Sequence, residues 1–180
     1  MKKILMITLA CAMLAACGGN GNAKKEATVE DNGIQKKEAT VEDKAIQLME
    51  KMISAMEKGN LNKCSAIEEE MEDWYDTLSE EEQEKVNETS DAWEKKNKKR
   101  IQKAMDKLIE ARVAELSEEM LEAMEAQDWE LMESISEEVE EWYESLSEEE
   151  QEKADDAADA WEKKNKKRIE KAGEKLEELY

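Results

Sequence analysis

Proline, histidine and phenylalanine are absent from the 180 residues, and glycine occurs only six times. Without proline nothing forces a helix to kink or stop, so breaks fall to Gly, Asn and Ser-led stretches. Without histidine there is no imidazole for acid–base work or metal ligation. Three cysteines make no zinc set, and the chain has no glycine-rich phosphate loop, nucleophile elbow or twelve-residue calcium loop. What remains is 42% charged, with apolar residues that are mainly Leu, Ile, Ala and Met plus five Trp. That composition suits long helices with narrow apolar seams and leaves strands little to work with, so the fold class expected is all-α.

Carboxylates are plentiful, but runs such as Glu68-Glu69-Glu70 and Glu148-Glu149-Glu150 project in different directions around a helix. No pair is thereby isolated and desolvated enough to serve as acid or base. We therefore expect no enzyme, no cofactor, no metal site and no small-molecule substrate. A formal net charge of −21 disfavours nucleic acid as a partner.

At the amino end Met1-Lys2-Lys3 is basic, and Ile4 to Ala16 is an apolar run too short to span a bilayer as a mature helix. It ends in Leu14-Ala15-Ala16-Cys17-Gly18, which resembles the lipobox of bacterial lipoproteins. The resemblance covers residues 1–18 and implies that residues 1–16 are a signal peptide and that Cys17 is acylated. Cys17 then anchors the rest of the chain on a membrane in the bacterial cell envelope. Two or three acyl chains hold a domain far more firmly than one, at about 0.8 kcal/mol per buried methylene. No Asp follows Cys17, and residues 18–22 carry no acidic cluster. By resemblance this favours the outer membrane facing the periplasm. Cys11 would leave with the signal and Cys17 would be acylated, so no intramolecular disulfide is expected at Cys64, which falls on an apolar seam where a buried thiol is expected.

Residues 17–39 read as a flexible tether, with a short repeat, KKEATVEDNGIQ and then KKEATVEDKAIQ, over 24–47. A larger repeat organises the rest: residues 45–109 align without gaps on 113–177, an offset of 68. Two tandem three-helix units are expected, over 40–112 and 113–180. Gly59-Asn60 ends a first helix begun near 40, and Gln127-Asp128 is its counterpart, with Asp128 as an N-cap. Ser79 with Glu82 and Ser147 with Glu150 fit capping boxes. No breaker interrupts 98–126, so a helix from about 80 to 126 is expected to join the units in an elongated molecule. A kink at Leu116-Ser117-Glu118-Glu119 is the alternative. In topology this resembles spectrin-type tandem helical repeats.

The nonapeptide WEKKNKKRI stands at 93–101 and again at 161–169. Trp93, Asn97, Ile101, Met105 and Leu108 share one helical face, and Lys95, Lys98, Lys99 and Arg100 spread over the others. The second copy sets Lys163, Lys166, Lys167 and Arg168 beside Ile169 and Leu176. One reading is internal electrostatics: acids four residues before lysines, plus attraction to the acidic second helices. The sharper reading is an interaction surface. The third helix would outrun the first two, leaving residues 101–112 overhanging as an apolar stripe with a basic rim that needs a partner or a second copy. Asn97 and Asn165 fall in the seam, where an Asn can set register. The function expected is a non-enzymatic, lipid-anchored helical interaction or scaffold module. The alternatives are a small periplasmic chaperone or stress protein, or a structural spacer at the membrane surface.

Overall fold

The computed structural model describes residues 40–177. The expected signal peptide, the expected acylation site Cys17 and the expected tether lie outside them. Among the described residues there are five helices and no strand: α1 (Val41–Met56), α2 (Leu61–Asp76), α3 (Glu80–Ala126), α4 (Trp129–Ser145) and α5 (Glu148–Glu177). The 47 residues of α3 extend about 70 Å at 1.5 Å per residue. Leu116-Ser117-Glu118-Glu119 lies inside this helix.

Each boundary has a local cause. Thr40 and Asp43 form a reciprocal capping box at α1, and Ser79 and Glu82 form another at α3. Asn60 and Asp128 accept from the backbone N–H three residues on, at 3.0 Å each, and so start α2 and α4. Ser147 meets Glu150 at the start of α5 through its backbone N–H, 2.9 Å, and its hydroxyl, 2.6 Å. Every one of these is a contact within four residues, which is why serine, asparagine and acid placement alone is enough to mark the ends.

α1 and α2 are antiparallel neighbours, tied by Lys51 to Glu70 at 3.2 Å and by the Lys44 ammonium 4.8 Å above the Trp74 ring. α3 packs most extensively on α5 and α1. The main core cluster runs from Leu48, Met52, Ile53 and Met56 through Cys64, Ile67 and Val86 to Leu108, Leu116, Trp142 and Ala154, while Leu121, Ala123, Ile135 and Ala172 are buried outside it. Cys64 is buried in the main cluster.

Between α1 and α2, Gly59 adopts φ +59°, and a Cβ there would lie 2.8 Å from the Cβ of Ala111. Its counterpart 68 residues on, Gln127, also has φ 59° and donates to the Lys175 carbonyl at 3.2 Å. Gly59→Ala therefore meets both a left-handed backbone penalty of about 1–2 kcal/mol and a collision, and urea denaturation should show a loss of that order or slightly more. Measured against Ala111→Gly alone, which carries its own helix-propensity cost of about 1 kcal/mol, Gly59→Ala/Ala111→Gly should show only the backbone penalty.

Candidate functional site

The two basic blocks lie on α3 and α5. In each, the arginine is turned inward onto two carboxylates. Arg100 donates from Nη1 to Glu50 at 2.6 Å, and from Nε and Nη2 to the two oxygens of Glu57 at 2.8 and 3.1 Å. Arg168 repeats this at the 68-residue offset: Nη1 to Glu118 at 2.6 Å, Nε and Nη2 to Glu125 at 3.3 Å each. The planar guanidinium matches one carboxylate with two parallel N–H groups and has a third direction left for another, a geometry lysine does not offer.

These clamps join a block to the helix segment running beside it: α1 for Arg100, and the 118–125 portion of α3 for Arg168. The expectation that the bases face the acidic second helices is thus corrected. α1 runs along the block on α3, so Glu50 and Glu57 are in reach, whereas α2 touches α3 only sparingly. The indole N–H of Trp93 also goes to Glu50, at 3.2 Å.

Electrostatics follow the geometry. The hydrogen bond from Arg100 holds the Glu57 carboxyl below the ordinary range, and that from Arg168 does the same for Glu125. Both guanidinium groups are pushed further up in turn. Because the folded carboxylates titrate lower than in the unfolded chain, the clamps contribute their full stability above the ordinary Glu value, about 4.3. They lose it as pH falls through the lowered values. All four clamp carboxylates remain partly in water, so the contribution is that of screened pairs.

The lysines are placed differently. Lys95, Lys98, Lys99, Lys163, Lys166 and Lys167 are all exposed. Lys163 and Lys166 make only loose pairs along their own helix, to Asp159 at 3.5 Å and Glu170 at 3.8 Å. Each block is therefore a fixed arginine beneath a ridge of solvated lysines.

The apolar members do not form the expected overhang. Leu108 is 1% exposed and belongs to the core, while Ile101, Met105, Ile169 and Leu176 are half-buried. The turn after α1 reaches as far as Lys107 and Ala111. Beyond it the start of α5 takes over, with Lys153 at 2.5 Å from Asp106. Segment 101–112 is thus covered from both sides by its own chain, and Leu108 is withdrawn from the interaction surface. Asn97 and Asn165 donate to the carbonyls of Trp93 and Trp161 on their own helices, at 2.9 and 3.0 Å. They do not set register across the seam.

One charged residue escaped the sequence reading. Arg112 is only 5% exposed and donates to Glu115 at 2.6 Å and to Glu138 of α4. The signal was present: Arg112 falls in register with Leu108, Ile109, Val113 and Leu116, where an apolar residue is the rule. Nearby, Glu119 takes the place that Lys51 holds 68 residues earlier, and so faces Glu138 where Lys51 faces Glu70. Burial first, then the charges of Glu115 and Glu138, push its carboxyl above the ordinary range. Glu119→Lys is expected to raise stability by about 0.3–1 kcal/mol at pH 7 in thermal or urea melts, with the gain falling in high salt.

Among the described residues no three acids or cysteines are grouped to hold a metal ion, and no helix is long and apolar enough to cross a membrane. The class this fold defines is an all-helical protein with paired arginine clamps beneath two lysine ridges. No family model, curated protein or solved structure matches the chain.

Proposed function

We propose that the chain is a lipid-anchored, non-enzymatic scaffold of the bacterial cell envelope that docks an acidic partner on its two lysine ridges. In this reading residues 40–112 and 113–180 are tandem three-helix units sharing α3, carried on a tether from an acylated Cys17. The recurrence of the Arg100–Glu50–Glu57 clamp as Arg168–Glu118–Glu125 supports the tandem units, since the same partners meet at the same offset. The lipobox resemblance supports the anchor.

The observation that carries the docking reading is the division of labour within each block. One cation is engaged by two carboxylates of the chain itself, and the lysines around it stay in water on a chain of net charge −21. Fixing the helix through its arginine presents the lysines in a constant array, so that a partner does not have to order the backbone beneath them. Solvated lysines contribute mostly to encounter rate and partner choice, so the docking should weaken steeply with salt.

In-cell photo-crosslinking from probes at positions 99 and 167, followed by mass spectrometry, tests this. A discrete acidic partner captured at both positions, and lost when the neighbouring lysines are changed to Gln, is the expected result. Adducts confined to the chain itself would overturn the docking reading. Release of a Cys17→Ser variant from the membrane fraction tests the anchor separately.

A further inference from the structure

Between α3, α4 and α5 lies a cavity of about 440 Å³, within the size range of small-molecule sites. Its walls are apolar: Leu116, Met120 and Met124 from α3, Val139 and Trp142 from α4, Ile169 from α5. The sequence repeat supplies an internal comparison. The positions 68 residues earlier build the packed core around α1, where Met49, Met52, Met56, Met71 and Val86 are all buried. In the second copy Met49 becomes Ser117, Met71 becomes Val139 and Val86 becomes Ala154. Among the positions that line the cavity, only Ala45 to Val113 runs the other way. The methionines that do not change, Met120 and Met124 for Met52 and Met56, are only half-buried in the second copy. Three large-to-small differences have opened a space that the first copy fills.

The cavity is open to solvent on the side of Asp155, Ala158 and Glu162, and an apolar guest that displaces water from its apolar walls gains free energy. Two flexible methionines on one wall are the side chains best able to adapt to a guest. The mouth has a definite chemistry. Asp155, which accepts from the Tyr143 hydroxyl at 3.1 Å, and the exposed Glu162 are its charged residues. Trp161, half-buried, lies beside them and offers an aromatic face to a cation.

We infer that this cavity is a binding site for an amphiphilic cation, its apolar body between α3 and α4 and its positive end at Asp155, Glu162 and Trp161. The site borders the lysine ridge of α5, sharing Trp161, Glu162 and Ile169 with the block at 161–169, and goes beyond the scaffold reading. An anionic head, such as a fatty acid carries, meets carboxylates at the mouth and is excluded.

Isothermal titration with three probes that share a decyl chain, below their micellar concentrations, tests the inference: decyltrimethylammonium, decanol and decanoate. The expected result is one decyltrimethylammonium per chain, bound at least tenfold tighter than decanoate. Ser117→Met/Val139→Met/Ala154→Val, which restores the residues of the first copy, should lose that binding at least tenfold and melt at a higher temperature. If this triple variant folds poorly, Ala154→Val alone should weaken the cation severalfold. Glu162→Gln should narrow the preference over decanoate. Absence of saturable one-to-one binding, equal binding by the filled variants, or no preference for the cation would each overturn it. So would a dimer in sedimentation that the filling substitutions dissociate, because the occupant would then be a second copy.

Discussion

Leu108→Ala is expected to lower the unfolding free energy by about 2–5 kcal/mol, measured by urea denaturation. Leu108 is 1% exposed, at the level where the core passes from α1 to the start of α5. Its neighbours come from three directions. Ala104 and Ile109 lie beside it on α3, the α1–α2 turn is packed at Lys107 and Ala111, and Lys153 is held at Asp106. A site bound on several sides by separate helices cannot collapse easily around a lost isobutyl group, so the upper half of the range applies. Lys99→Ala and Lys167→Ala, on the solvated faces of α3 and α5, should stay within about 0.5 kcal/mol of the parent. Similar small effects for all three would return Leu108 to the surface and the overhanging stripe to consideration.

The second large effect is expected at Arg112. Removing its charge by Arg112→Met leaves Glu138 and Glu115 without their cation, beside a Glu119 whose carboxyl is already pushed up. Breaking a buried pair costs about 3–5 kcal/mol, and since Glu115 and Glu138 keep some contact with water, about 2–3 kcal/mol is expected here. The pH dependence separates this cause from lost packing. A carboxylate whose folded pKa is raised is penalised above that value and relieved once protonated, so the deficit of Arg112→Met should shrink as pH falls from 7 toward the ordinary Glu value. A packing loss would stay constant. Arg112→Met/Glu138→Met should recover at least half of the loss, because replacing both partners removes the stranded charge. A deficit independent of pH and untouched by the second substitution would refute the electrostatic account.

Several features were legible because they are local. Ser79, Asp128 and Ser147 mark helix starts through bonds to residues three positions on, and any chain with those letters in that order presents the same option to its backbone. The 68-residue repeat, the acidic charge and the helical class are likewise properties of the string of residues. Cys64 was readable too, since its period places it in line with Ile67 and Met71.

Leu108, Arg100 and the 440 Å³ cavity were not. Periodicity puts Leu108 and Ile101 on one face but is silent on how far the neighbouring helices extend over it. That depends on where the α1–α2 turn meets Ala111 and where α5 begins. The partners of Arg100, Glu57 just past the end of α1 and Glu50 within it, stand 43 and 50 residues away, and α2 was as plausible by charge alone. Even the exchange of Met49 for Ser117 looks neutral as text.

By itself, then, the sequence determined the helical class, the helix ends, the internal repetition and the two basic blocks, all through interactions that close within a few residues or through composition. The tertiary structure alone decided which faces are covered, which cation is internal and which copy is hollow. Those outcomes depend on how helices are aligned along one another, and that alignment is set by the summed fit of many distant side chains, none of which specifies it locally.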